Sequence, residues 1–179
     1  MILVQKNNHQ AFGVLYDRYN KRLLHFMFKM LNNDDEKAQD LLQDLFLKIA
    51  ERPHLFDTTK KFYTWVFTVA ANMCRTTYRN KEMQSTSNNE SKVYHVSQHD
   101  DELIGRIDAG VFSTHLGRAL DNLSYEHKET FVFRFQEDFS LKEIAEVMNC
   151  SEGTVKSRIF YTTKKLAEEL KEFKPLLKK

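Results

Sequence analysis

The spacing of apolar residues constrains this chain most. From the twelfth position they fall at Phe12, Leu15, Tyr16, Tyr19, Leu23, Phe26, Met27 and Met30. Steps of three and four put such residues along one side of an α-helix and suit no strand. The pattern recurs at Ala38, Leu41, Leu42, Leu45, Phe46 and Ile49, and again at Phe62, Trp65, Val66, Val69, Ala70 and Met73. "NNDD", Asn32 to Asp35, supplies turn and cap chemistry between the first two stripes, with acids placed to suit the next helix dipole. Pro53 ends the second stripe, because proline cannot continue a helical ladder. The 5 Gly and 2 Pro in 179 residues argue against a turn-rich all-β fold. Three amphipathic helices with short joints predict a compact bundle.

The pattern stops between about Arg79 and Asp108. "QSTSNNESK" is nearly all polar and "HDDE" adds an acidic run, so this stretch buries too little apolar surface to offset its ordering entropy. Order returns with Val111, Leu116, Ala119, Leu120 and Leu123. Ser124 then opens a helix carrying Phe131, Val132 and Phe135, which "EDFS" breaks. Ser140 and Glu143 have the spacing of a capping box, opening a short helix with Leu141, Ile144, Ala145, Val147 and Met148 inward. Ser151 caps the last helix. The expected architecture is all-α: two small helical domains, 1–80 and 109–179, joined by a flexible linker over 81–108, the second domain a helix-turn-helix.

A short helix, a turn at Asn149 and Cys150, and a second capped helix are the layout of that motif. Asn149 stands where such turns usually have Gly, and Asn tolerates left-handed backbone well. Val155 and Ile159 are expected to face the core, leaving Thr154, Lys156, Ser157, Arg158, Tyr161 and Lys164 to meet a DNA groove, where basic groups hold phosphates or a guanine edge and hydroxyls add hydrogen bonds. The net charge is only +2, so a DNA partner must be met by local charge, and from Lys156 onward eight basic residues face three acids. Spacing alone also allows an ordinary solvated helix whose basic end suits its dipole.

Two further surfaces lie in the first half. Asp40, Gln43, Asp44 and Leu47 form a second stripe opposite the core side of their helix, which reads either as a docking face for a basic partner or as an acidic surface with one stray Leu. On the third helix Tyr63, Phe67, Cys74 and Tyr78 lie beside Asn72, Arg75 and Arg79, with Lys60 and Lys61 just ahead. Aromatics interleaved with cations can stack on unpaired bases and follow the backbone, but aromatic stripes at this spacing also build cores.

Other classes find little support. Cys74 and Cys150 are far apart, without metal-ligand spacing, which suits a reducing compartment. "MILVQKNN" is no secretory signal, and His9 falls in an N-terminal stretch expected to fray. No run approaches the roughly 18 apolar residues of a membrane span, so a cytoplasmic protein is expected. Seven scattered His, no Gly-rich phosphate loop and no nucleophile motif argue against an enzyme. No catalytic residue, metal, cofactor or small-molecule substrate is expected. A stand-alone regulator with a sensing N-terminal bundle remains open, although it has no use for the Asp40 to Leu47 stripe.

Taken together, "AFGVLYDRYNKRLL", "AQDLLQDLFLKIAE", "FYTWVFTVAANMCRTTYR", "ALDNLSYEHKETFVFRF" and "SLKEIAEVMNCSEGTVKSRIFYTTKKL", in this order, resemble the extracytoplasmic-function (ECF) sigma factors of bacterial RNA polymerase, in the sigma-70 family. The resemblance covers about Phe12 to Leu170. It implies that Asp40, Gln43 and Asp44, with Leu47, dock on the clamp helices of the largest core polymerase subunit. It also implies that Phe62 to Arg79 recognises and opens the minus-ten promoter element, with Asn72 reading an extruded base, Arg75 and Arg79 on the backbone, and Trp65 in the core. The last helix matches the minus-thirty-five reader. Further implied partners are promoter DNA, the flap of the second-largest polymerase subunit and an anti-sigma factor, often membrane-bound. The segment after Asn72 lacks an acid common in the family. Minus-ten preference also depends on a loop, here "RPHLFDTTKK", that varies among members.

Overall fold

The computed structural model describes residues 1–85 and 107–173. Among them the regular elements are all helical: α1 (Ile2–Gln5), α2 (His9–Met30), α3 (Asp35–Glu51), a 3₁₀ turn (Pro53–Leu55), α4 (Phe62–Ser85), α5 (Ile107–Asp121), α6 (Tyr125–Phe135), α7 (Leu141–Val147) and α8 (Glu152–Glu169). They form two compact units, α1 to α4 and α5 to α8. The fold is all-α, as the periodicity predicts.

In the first unit α2, α3 and α4 pack on one another. Leu23, Phe26, Met27 and Met30 meet Ala38, Leu42, Leu45, Phe46 and Ile49 in the core. The α2–α3 turn places Asn32 and Asn33 at φ 59° and 61°, the left-handed region that asparagine accepts most readily among side-chain-bearing residues. Asp34 then caps α3, its carboxylate accepting from Lys37 N at 3.2 Å. The buried stripe of α4 differs from the expected one. It is Val66, Phe67, Ala70, Ala71 and Cys74, with Phe26 and Phe67 edge to face at 5.5 Å. Phe62, Trp65, Val69 and Met73 are only half-buried. The helix is apolar on more than one side, so periodicity leaves its rotation open by about 100°, one residue's turn.

α4 also continues past Arg79 to Ser85, since Lys81, Glu82, Met83 and Gln84 are all good helix formers. α5 begins at Ile107, ahead of Val111. The remainder of the linker expected over 81–108 lies outside the described residues. The N-terminus is not frayed: Val4 is buried, and Asn8 caps α2 by accepting from Ala11 N at 2.9 Å.

In the second unit α6, α7 and α5 pack against α8. Ala119, Leu120 and Leu166 form one cluster with Leu116, Leu123, Phe131 and Leu170, while Val132, Phe133, Phe139, Ile144, Val147 and Val155 are also buried. Phe133 takes the core place expected of Phe135, which is half-exposed. The reason is the turn after α6, where Asp138 at φ 57° folds Phe139 back onto Phe133, ring centroids 5.0 Å apart. An ion pair invisible to pattern reading joins α5 to α6, with Lys128 Nζ donating to Asp121 Oδ1 at 2.6 Å.

Candidate nucleic-acid and partner-binding surfaces

The second unit presents α8 through a stack of local devices. The capping box forms, with Ser140 N donating to Glu143 Oε2 at 3.0 Å and Glu143 N to Ser140 Oγ at 3.2 Å. A cap of this kind contributes about 1 kcal/mol. At the turn Asn149 has φ 48°, and Cys150 N donates to Ala145 O at 3.0 Å. Ser151 Oγ then accepts from Thr154 N at 3.0 Å and shares a hydrogen bond with the Thr154 hydroxyl. Both helices of the motif are therefore started by side-chain caps, with one left-handed residue between them.

Val155, Thr162 and Leu166 seat α8 on its unit, and Ile159 is half-buried. Lys156, Ser157, Tyr161 and Lys164 stand in solvent, while Thr154 and Arg158 are half-buried. Beside them is a residue the sequence reading missed. Phe160 is 60% exposed, edge to face with Tyr161 at 5.4 Å. Its signal was available, because position 160 lies four after Lys156 and four before Lys164, hence on the same face. An apolar ring on a polar face can contact a thymine methyl.

In the first unit Asp40, Gln43, Asp44 and Leu47 are all exposed, Leu47 at 57%. They lie opposite the buried Ala38, Leu42, Leu45, Phe46 and Ile49 of the same helix, so they make one continuous outward strip.

α4 and the segment before it carry the remaining candidates. Lys60, Lys61, Asn72 and Arg79 are exposed and Arg75 half-buried. Arg75 Nη1 donates to Asn72 Oδ1 at 2.8 Å, which orients the exposed amide and leaves its NH₂ and the second lone pair of its oxygen open to a base edge. The aromatic stripe is core in part: Phe67 and Cys74 are fully buried, so neither is a stacking platform. Tyr63 is half-buried, its ring 4.8 Å from that of Phe67 and under the Arg22 guanidinium at 5.2 Å.

Ahead of α4, buried Phe56 packs on Phe62 and Trp65 at 5.4 and 5.2 Å. Asp57 Oδ1 accepts from both Thr59 N and Thr59 Oγ1, at 3.0 and 2.7 Å. Those two bonds, with Lys60 adding, hold the Asp57 carboxyl below its ordinary range. Among the described residues no group of His, Cys, Asp and Glu could hold a metal ion, and no helix is long and apolar enough to cross a membrane.

Two family models match the chain: Sigma-70 region 2 over residues 15–83 and Sigma-70, region 4 over residues 114–166. The chain belongs to the sigma-70 family. Its relatives place it among the ECF sigma factors. It is 27% identical to the ECF RNA polymerase sigma-E factor of Haemophilus influenzae over 170 residues, 88% of this chain and 86% of that one. It is 26% identical to the ECF sigma factor SigW of Bacillus subtilis over 177 residues, 94% of each. Among solved structures, the sigma factor RpoE in complex with the anti-sigma factor NepR from Bartonella quintana has a similar fold, with TM-score 0.76 and 22% identity over 90% of this chain and 98% of that one. CnrH in complex with the cytosolic domain of CnrY gives 0.70 and 20%, over 96% and 94%. As a sigma factor, the protein directs promoter-specific transcription. The region 2 match takes in α3 and α4 as far as residue 83, and the region 4 match takes in α7 and α8 as far as residue 166.

Proposed function

We propose that this sigma factor docks on bacterial core RNA polymerase through the exposed strip Asp40, Gln43, Asp44 and Leu47, which meets the clamp helices of the largest subunit. Its second unit lies at the flap of the second-largest subunit. The units 1–80 and 109–179 then divide the promoter. α8 reads the minus-thirty-five duplex with Thr154, Lys156, Ser157, Arg158, Tyr161 and Lys164. Asn72, with Lys60, Lys61, Tyr63, Arg75 and Arg79, captures the opened minus-ten strand.

No bond is made or broken by the protein, so it is not an enzyme. Opening is driven by holding an unstacked base, which costs a few kcal/mol to extrude. With a net charge of +2, the free chain lacks the general phosphate attraction that drives sequence-independent binding, and the polymerase raises affinity by joining two weak contacts. The protein works in the cytoplasm. An anti-sigma factor, which the family resemblance implies can be membrane-bound, is the expected inhibitor, covering the polymerase-facing or DNA-facing strips.

The observation that carries this reading is the outward acid–amide–Leu strip on a helix whose other side is fully committed to the core. Run-off transcription with core polymerase on a genomic fragment library tests it. Promoter-specific transcripts are expected only when the protein is added, and Asp40→Ala with Asp44→Arg abolishes them. Retention of those transcripts in the double variant refutes the docking strip.

A further inference from the structure

We propose that Gln5 is a positioning residue for strand opening, holding the segment between α3 and α4 in the shape that meets the separated minus-ten strand. This rests on the functional reading above and adds a residue that reaches no DNA itself. The side-chain amide Nε2 of Gln5 donates to the carbonyl oxygens of Pro53 and Phe56, 2.9 Å each. Those carbonyls belong to the first residue of the 3₁₀ turn and to the residue that closes it. One amide carries two donor hydrogens, so a single planar group fixes the spacing of both ends of the turn. Both bonds are partly buried; Pro53 O also accepts from Phe56 N at 3.3 Å inside the turn, so Gln5 adds a second bond at that end and ties Phe56 O to α1 at the other.

Each partner is itself anchored. On the α1 side, Val4 is buried and Asn7 turns the chain at φ 61°. Asn8 N donates to Leu3 O at 3.1 Å, and its side chain caps α2. On the other side, Phe56 is locked by the rings of Phe62 and Trp65. The next residues are the Asp57–Thr59 turn and the exposed Lys60 and Lys61.

α1 contributes little else to the unit. Ile2 and Leu3 are 59% and 55% exposed, and the helix packs on α2 and on the 3₁₀ turn. It also shares an open groove of about 500 Å³ with the loop, lined by Leu3, Val14, Thr58, Lys60 and Phe62 among others. A helix that buries one side chain and spends its one polar reach on the turn before the basic loop is built to place that loop.

The test uses holoenzyme assembled from core polymerase and the full chain, on a promoter fragment recovered by the run-off screen. The rate of strand opening is measured on the cognate minus-ten element and on single-base variants of it, and their ratio is taken. Gln5→Met keeps length but has no donor; Gln5→Lys keeps donors. The ratio is expected to fall about tenfold in Gln5→Met, the scale of losing two modest hydrogen bonds, and to stay near wild type in Gln5→Lys. Core binding and protection of the upstream duplex stay unchanged in both.

The ratio does not depend on the folded fraction, so a merely structural loss slows every template equally and leaves it untouched. An unchanged ratio in Gln5→Met, or equal loss in Gln5→Met and Gln5→Lys, overturns the positioning role while the sigma-factor reading stands. A wild-type chain that yields no promoter-specific transcripts overturns both.

Discussion

α4 and α8 carry the same kinds of side chain and use them in opposite ways. On α8, Phe160 and Tyr161 stand 60% and 57% exposed among Lys156, Ser157 and Lys164. On α4, Phe67 is sealed in the core and Tyr63 is held between Phe67 and Arg22. The solvent side of α4 instead includes Asn72, its amide oriented by a hydrogen bond from Arg75, and Arg79. A duplex groove admits a whole helix face, and protruding rings and cations suit it. A separated strand brings its bases to the protein, and a fixed amide beside a preset loop suits that. Under the proposed function, the difference matches two tasks: reading a closed helix and catching an opened strand.

The largest test of that contrast substitutes the two phenylalanines. Phe67→Ala is expected to lose about 3–5 kcal/mol of stability, as emptied aromatic core sites do, seen in denaturant unfolding of the free chain. Phe160→Ala is expected to leave unfolding within about 0.5 kcal/mol, as exposed substitutions do, while weakening holoenzyme binding to the minus-thirty-five duplex by about 1–2 kcal/mol, within the range of one lost base contact. Equal unfolding losses would erase the distinction drawn between the two helices.

The next sharpens the role of charge on α8. Lys156→Ala should weaken binding across promoter sequences and lower the slope of log affinity against log salt by about 0.9, the value for one phosphate contact. Titration of holoenzyme on promoter duplex at several salt concentrations reads it, and an unchanged slope removes Lys156 from the phosphate backbone.

The smallest concerns the loop ahead of α4. Because its folded pKa is depressed by Thr59, the Asp57 turn contributes fully above the ordinary carboxylate value of 3.8 and is lost as pH falls through the lower folded value. The Thr59 amide resonance is expected to titrate below 3.8 in the wild type and to show no such step in Asp57→Asn. A midpoint at or above 3.8 breaks the turn as drawn.

Features set by neighbours a few residues apart were legible in the sequence. The Ser140–Glu143 box, a cap within Asn32 to Asp35, the Ser151 cap, the left-handed Asn149 and the α3 strip from Asp40 to Leu47 all follow from spacing within one or two turns. Features set across the chain were not. Gln5 meets carbonyls 48 and 51 positions away, and the Lys128–Asp121 pair needs α5 and α6 already packed. Choosing Phe133 over Phe135 depends on a backbone turn at Asp138. The rotation of α4 escaped for another reason: apolar residues on several of its sides let more than one stripe satisfy the period. Phe160 was readable by register, since it shares a helix face with Lys156 and Lys164.

The most direct measurement follows duplex protection and strand opening together in holoenzymes carrying Phe160→Ala or Asn72→Ala, using footprinting upstream and single-strand reactivity at the minus-ten element. The division of labour predicts that Phe160→Ala weakens upstream protection while the strand that is bound still opens, and that Asn72→Ala keeps protection but loses opening. Loss of both signals together in each variant, or the reverse assignment, would contradict it.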